Sequence, residues 1–226
     1  MNPVLAQFKE NLYGPHYDVA SFQVSRMVGT SLKTARLTIP HVKDAIRRYE
    51  KNPDLPLEEF PLDESVELTL CYFMLSLKKE GTFAKQMAFL QGKLAYANSW
   101  IITDSLPQVI RKAPVKDFEP YYRKWAKDKR EYARRFAYVF AMRYYRENDI
   151  SFFLDHLVYD ERYYVMMGEA WMLATFAITH FEDVKAFLLR NDIPESLKRK
   201  TISKIRDSYR LSSEQKEIVK QIRDNR

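Results

Sequence analysis

The chain has 226 residues, 46% of them hydrophobic and 30% charged, with only 5 glycines, one cysteine and a formal net charge of +7. That length suits one domain or a small pair and buries roughly 70% of the unfolded surface. Cys71 alone cannot close an internal disulfide, and Gly14, Gly29, Gly81, Gly92 and Gly168 are too dispersed for a dinucleotide or P-loop phosphate cradle.

In chain order, Met1 to Leu12 carries Lys9 and Glu10 and no continuous apolar core before a small-residue cleavage site. No apolar run reaches the ~20 residues of a bilayer span, so a cytoplasmic protein without a membrane partner is expected. Ile39-Pro40 announces a helix over 41–51, and Asp63 with Glu64 another over 65–79. Between them, 52–63 holds Pro53, Pro56 and Pro61 but also Leu55, Leu57, Phe60 and Leu62, so it is expected to pack and not to divide the chain. Thr82 precedes a predicted helix over 83–97. Over 129–145, Tyr132, Phe136, Val139 and Phe140 recur at steps of three and four, predicting one packed and one wet face. The segment 161–179 is apolar around its circumference and is expected to be central. Pro194 introduces a helix over 195–208.

About a dozen helices and no strand alternation predict an all-α protein, a single domain over 1–226. Helix pairs of roughly 40 residues match HEAT-type units, which stack into a solenoid with a concave face. His16, His41, His156 and His180 show no ligand spacing, so neither metal nor cofactor is expected. The charge is unevenly spread: 111–135 and 198–226 each carry ten basic and four acidic residues, a net of +6, leaving the remainder near −5. Two localised basic stretches, including Lys124 and Lys127, suit a polyanion, and nucleic acid, DNA or RNA, is the first candidate.

Three stretches carry a more specific pattern: Asn98-Ser-Trp-Ile-Ile-Thr-Asp104, Trp125 through Arg134-Arg135 to Val139, and Tyr163 through Trp171-Met-Leu. In order and spacing they resemble the AlkD-like DNA alkylation repair family, the HEAT-like-repeat alkylpurine DNA glycosylases, over nearly the whole chain. Trp100 and Asp104, four apart, share a helix face. The resemblance implies that they, with Trp171, hold the deoxyribose of an N3- or N7-alkylated purine in duplex DNA. Asp104 would stabilise the oxocarbenium-like sugar, and the two indoles would cradle the cationic nucleotide. It further implies that Arg135, beside Arg134, contacts the DNA backbone, that Tyr132 supplies a flat face, that the protein acts as a monomer, and that no pocket for the base is needed.

Five positions depart from the family pattern: Ile101 stands where an acid is frequent, Tyr132 replaces a tryptophan but keeps a flat face, Met166 and Met167 replace a Gln-Lys pair, and Ala174 replaces an arginine. They leave open a non-catalytic relative that binds damaged or branched DNA, and a helical protein-interaction scaffold is a further alternative. Taken alone, Trp100 and Trp171 are better explained by core packing, and Asp104 by capping the turn that follows it.

Overall fold

The computed structural model describes residues 2–15, 17–24 and 29–224, with 223 and 224 given by backbone alone. His16 and the side chains of Arg223 and Arg226, which end the second basic stretch, lie outside the described residues. Those residues form twelve α-helices and one short hairpin, the expected all-α class, and fall into two compact units, Met1–Lys112 and Ala113–Arg226.

The first unit is organised by α3 (Val66–Glu80), whose residues Val66 to Leu77 are all buried. Such a helix needs cover on every side, and α2 (Ile39–Tyr49), α4 (Phe83–Lys93) and α5 (Trp100–Ser105) supply it. Its cap is Ser65, whose hydroxyl accepts from the Leu68 N–H at 3.1 Å, and not the Asp63-Glu64 pair that the sequence suggested. Thr38 caps α2 just ahead of Ile39-Pro40, and Thr82 caps α4 as expected. That helix stops at Lys93 and tightens into a 3₁₀ turn over Leu94–Tyr96, short of the predicted 97. The proline-rich 52–63 stretch does pack. Leu55 and Phe60 are buried, and the Phe60 ring lies 5.4 Å from Phe8 of α1 (Pro3–Tyr13) and 6.2 Å from Tyr72.

One feature of this unit was not anticipated. Strands β1 (Gln23–Val24) and β2 (Lys33–Thr34) pair antiparallel, with Gln23 opposite Thr34. Two residues per strand are too few to show an alternating pattern.

The second unit comprises α6 (Val115–Trp125), α7 (Glu131–Ala141), α8 (Ser151–Asp155), α9 (Tyr163–Phe176), α10 (Phe181–Leu189), α11 (Glu195–Asp207) and α12 (Ser213–Asp224). As expected, α9 is central, packed against both α7 and α11. The expectation of a wet face on α7 is not met: Tyr132, Ala133 and Arg135 through Ala141 are all buried. The reason is that α7 is covered twice, by α6 and by α9. Where α9 crosses α7 the backbones approach closely, and a Cβ on Gly168 would stand 3.3 Å from Arg135 Cγ. Aromatic rings fill the rest of this core, with Phe118 and Phe140 centroids 4.5 Å apart and Tyr144 stacked on Phe153 at 5.7 Å. Among the described residues no helix is long and apolar enough to cross a membrane.

Candidate active site

In the first unit, the short helix α5 is started by Ser99, whose buried hydroxyl accepts from the Ile101 N–H at 3.2 Å. The four-residue separation then places Trp100 and Asp104 on one face, and both are half-buried in the wall of the same cavity. Asp104 lies inside α5, and Ser105 occupies the cap position of the following 3₁₀ turn. The buried Thr103 hydroxyl stands 3.3 Å from Asp104 Oδ1 and as near to the Trp100 carbonyl.

The cavity has a volume of about 490 Å³. Beyond α5 it is bounded by Val66, Glu67 and Leu70 of α3, by Ile39 and Val42 of α2, and by Thr34, Arg36 and Leu37 of the strap that begins at the end of β2. Glu67 fastens that strap. Its carboxylate accepts from the Thr34 hydroxyl at 2.5 Å and from the N–H groups of Ala35 and Leu37 at 3.3 and 3.4 Å. Arg36, between them, is held at φ 56°, in the left-handed region that a non-glycine residue rarely adopts.

The other candidates lie in the second unit, on α6, α7 and α9. Trp171 is 41% exposed, so it presents an indole to solvent instead of filling the core. Tyr132 is 8% exposed and packs its ring 5.8 Å from that of Tyr164. Arg135 is 6% exposed and donates from Nη1 to the Tyr164 carbonyl at 2.6 Å, tying α7 to the first turn of α9. Arg134 donates to Asp160 Oδ2 at 2.8 Å and to the carbonyls of Val158 and Tyr159, which fixes the loop before α9. Both arginines therefore make internal contacts, while the other eight basic residues of 111–135, Lys124 and Lys127 included, are exposed.

A model of the family described as DNA alkylation repair enzyme matches residues 25–206. The chain belongs to that family. No curated protein matches it. Family membership places the chain in DNA alkylation repair, with DNA as its substrate.

Within this DNA alkylation repair enzyme, the departures noted above have distinct settings. Ile101 is part of the cavity wall beside Trp100, Met166 and Met167 are half-buried, and Ala174 is buried. Three residues that sequence reasoning did not single out also matter: Glu67 and Arg36 at the cavity, and Glu169 in α9. Glu169 is fully buried, and neither carboxyl oxygen meets a donor at bonding geometry. Burial pushes its carboxyl from 4.5 up to about 9, opposed by the Arg134 cation and reinforced by the Asp160 charge. The available signal was an acid set in a run of mainly apolar residues, Glu67 within 66–77 of α3 and Glu169 in α9.

Proposed function

We propose that the protein is a DNA glycosylase that hydrolyses the N-glycosidic bond of N3- or N7-alkylated purines in duplex DNA, acting as a cytoplasmic monomer, with 1–226 working as one domain. The observation that carries this reading is the Trp100–Asp104 pair on one face of α5, at the edge of a cavity, in a chain of this family. Alkylation at N3 or N7 makes the purine cationic and a ready leaving group. When the C1′–N bond breaks, the bonding electron pair leaves with the base and positive charge develops on the sugar. A fixed carboxylate beside that charge stabilises it more than it stabilises the ground state, and this difference lowers the barrier. Water then adds at C1′, giving up a proton to Asp104 or to solvent, by the logic glycosidases apply to sugars. The Trp100 indole offers its electron-rich face to the cation.

Lys124 and Lys127 are the direct phosphate contacts in this reading, since both are exposed. Arg135 acts through the start of α9 that it holds, and Arg134 through the 158–160 loop. Incubation with duplex DNA containing 7-methylguanine is expected to release the free base, and Asp104→Asn to slow release by about 10²–10³-fold, the usual cost of removing one transition-state charge partner. Bound DNA with no base release by the folded wild-type protein overturns the reading. A second reading, non-catalytic binding of lesioned or branched DNA, is supported by the departures from the family pattern, with Ile101 in the cavity wall and Met166 and Met167 half-buried in α9. It predicts binding that weakens steeply with salt and is indifferent to Asp104→Ala.

A further inference from the structure

In the second unit, α7, α9 and α11 run side by side in the same direction. Arg135 of α7 bonds the Tyr164 carbonyl and Ser196 of α11 the Tyr159 hydroxyl, at and just before the start of α9, whereas Met142, just past α7, meets Thr175 in the last turn of α9. Their ends therefore share an edge, where the Thr179 hydroxyl donates to the Tyr145 carbonyl. Two guanidiniums gather there on one ring, Arg146 at 5.1 Å and Arg210 at 5.5 Å from the Tyr145 centroid. We propose that Arg146 and Arg210 form a clamp for phosphodiester groups of the DNA that flanks the site held at Trp171, with Tyr209 as its flat neighbour. The proposal rests on DNA as the partner, which is common to both readings above, and not on cleavage of the N-glycosidic bond.

Both arginines are exposed, and among the described residues neither guanidinium meets a carboxylate. Two cations on one ring stand within roughly 11 Å of each other, a separation at which like charges are only partly screened at physiological salt. An anion beside both relieves that repulsion. A guanidinium lying over a ring spends its face on the ring and keeps its edge donors, the fork that takes two phosphate oxygens at once. Tyr209, next to Arg210, is fully exposed, so its ring lies open to a sugar and its hydroxyl to a phosphate oxygen.

The clamp lies within reach of a duplex seated at Trp171. Thr179 follows Trp171 by eight residues, about 12 Å at the rise of a helix, which three or four base pairs span. Arg146 belongs to neither basic stretch of the sequence, and Arg210 lies past the 25–206 family match, so no sequence pattern pairs them. Helix ends supply a competing explanation, because the helix dipole favours cations near the carboxyl ends of α7 and α11. A cation with that role alone acts on stability, whereas a clamp acts on DNA affinity.

Binding to a duplex with one tetrahydrofuran abasic analogue, which offers no base to release, tests the clamp apart from catalysis. Arg146→Ala with Arg210→Ala is expected to lower the slope of log affinity against log salt by about 2 and to leave the melting temperature unchanged. Arg146→Gln with Arg210→Gln replaces the alanine pair should that fail to fold by circular dichroism. Uncharged methylphosphonate linkages three or four nucleotides from the analogue are expected to weaken binding by the wild type and not by the double variant, since the charge they remove is the one the clamp meets. An unchanged slope, or equal weakening of both proteins by the methylphosphonates, overturns the proposal. A slope reduced for RNA of the same sequence but not for the duplex assigns the clamp to RNA and overturns it equally. On DNA with 7-methylguanine, base release at saturating enzyme is expected to be the same for the double variant as for the wild type. Wild-type binding with its full slope but no base release overturns the glycosylase and leaves the clamp standing.

Discussion

Replacing Glu169 by glutamine tests the electrostatics of the α9 core directly. Glu169 is fully buried with both oxygens unmatched, and its surroundings are the Arg134–Asp160 pair and the hydroxyls of Tyr122 and Tyr138. Burial holds its carboxyl near 9 against 4.5 for the free group, so the folded protein keeps a proton that the unfolded chain releases. The stability this group contributes is therefore complete below about pH 4.5, declines as pH rises, and is gone once pH passes about 9. By pH 7 the native state has held the proton across about 2.5 pH units, which at about 1.4 kcal/mol each costs up to about 3 kcal/mol. Glutamine keeps the shape and never ionises. Urea unfolding from pH 4 to 9 is expected to show equal stability for the two proteins at the acid end and a glutamine variant more stable by up to about 3 kcal/mol at pH 7. Parallel pH profiles, with a constant offset between wild type and variant, refute the reasoning, because they mean that Glu169 titrates alike in the folded and unfolded states.

Asp160 behaves in the opposite sense. Its hydrogen bonds from Arg162, assisted by Arg134, hold its carboxyl below 3.8, so its contribution is present above that value and lost as pH falls. Asp160→Asn strands the Arg134 guanidinium and is expected to cost about 3 kcal/mol at pH 7 in denaturant unfolding. Gly168→Val drives a branched side chain into Arg135, where even a Cβ has only 3.3 Å, and is expected to lower stability by about 1–3 kcal/mol and the melting temperature with it. Replacing Lys124 and Lys127 together by alanine is expected to leave the melting temperature unchanged but to reduce the slope of log affinity for duplex DNA against log salt by about 2. An unchanged slope removes these lysines from the interface.

The elements best visible in the sequence were those whose local chemistry and tertiary setting agree. Helix α9, apolar all round, is central, and Thr82 and Pro194 mark helix starts because capping and a fixed φ are local effects. At the candidate site, the Trp100–Asp104 spacing is likewise local, since four residues on a helix dictate a shared face. What escaped depends on partners distant in sequence. The second covering of α7 comes from α9, some thirty residues downstream, so a stripe on one face understated its burial. The strap at 34–37 is fixed by Glu67 on another helix, and nothing near Arg36 announces the cavity it borders.

Charge counting shows the same limit and has a functional consequence. The stretch 111–135 holds ten basic residues, but a count does not separate charge that faces solvent from charge spent inside. Arg135, which the family resemblance assigns to the DNA backbone, and Arg134 beside it hold the first turn of α9 and the loop before it, the segment that leads to Trp171. A guanidinium suits that work because its forked donors can satisfy several carbonyls and a carboxylate at once, as Arg134 does, which a lysine at the same position cannot match. In the proposed reading, the positive charge offered to a phosphate backbone comes from exposed side chains such as Lys124 and Lys127, where a flexible side chain serves as a point charge. Division of labour of this kind makes affinity and site geometry separable: exposed lysines can be removed without disturbing the Trp171 helix, whereas loss of either inward arginine disturbs that helix first and DNA affinity only as a result.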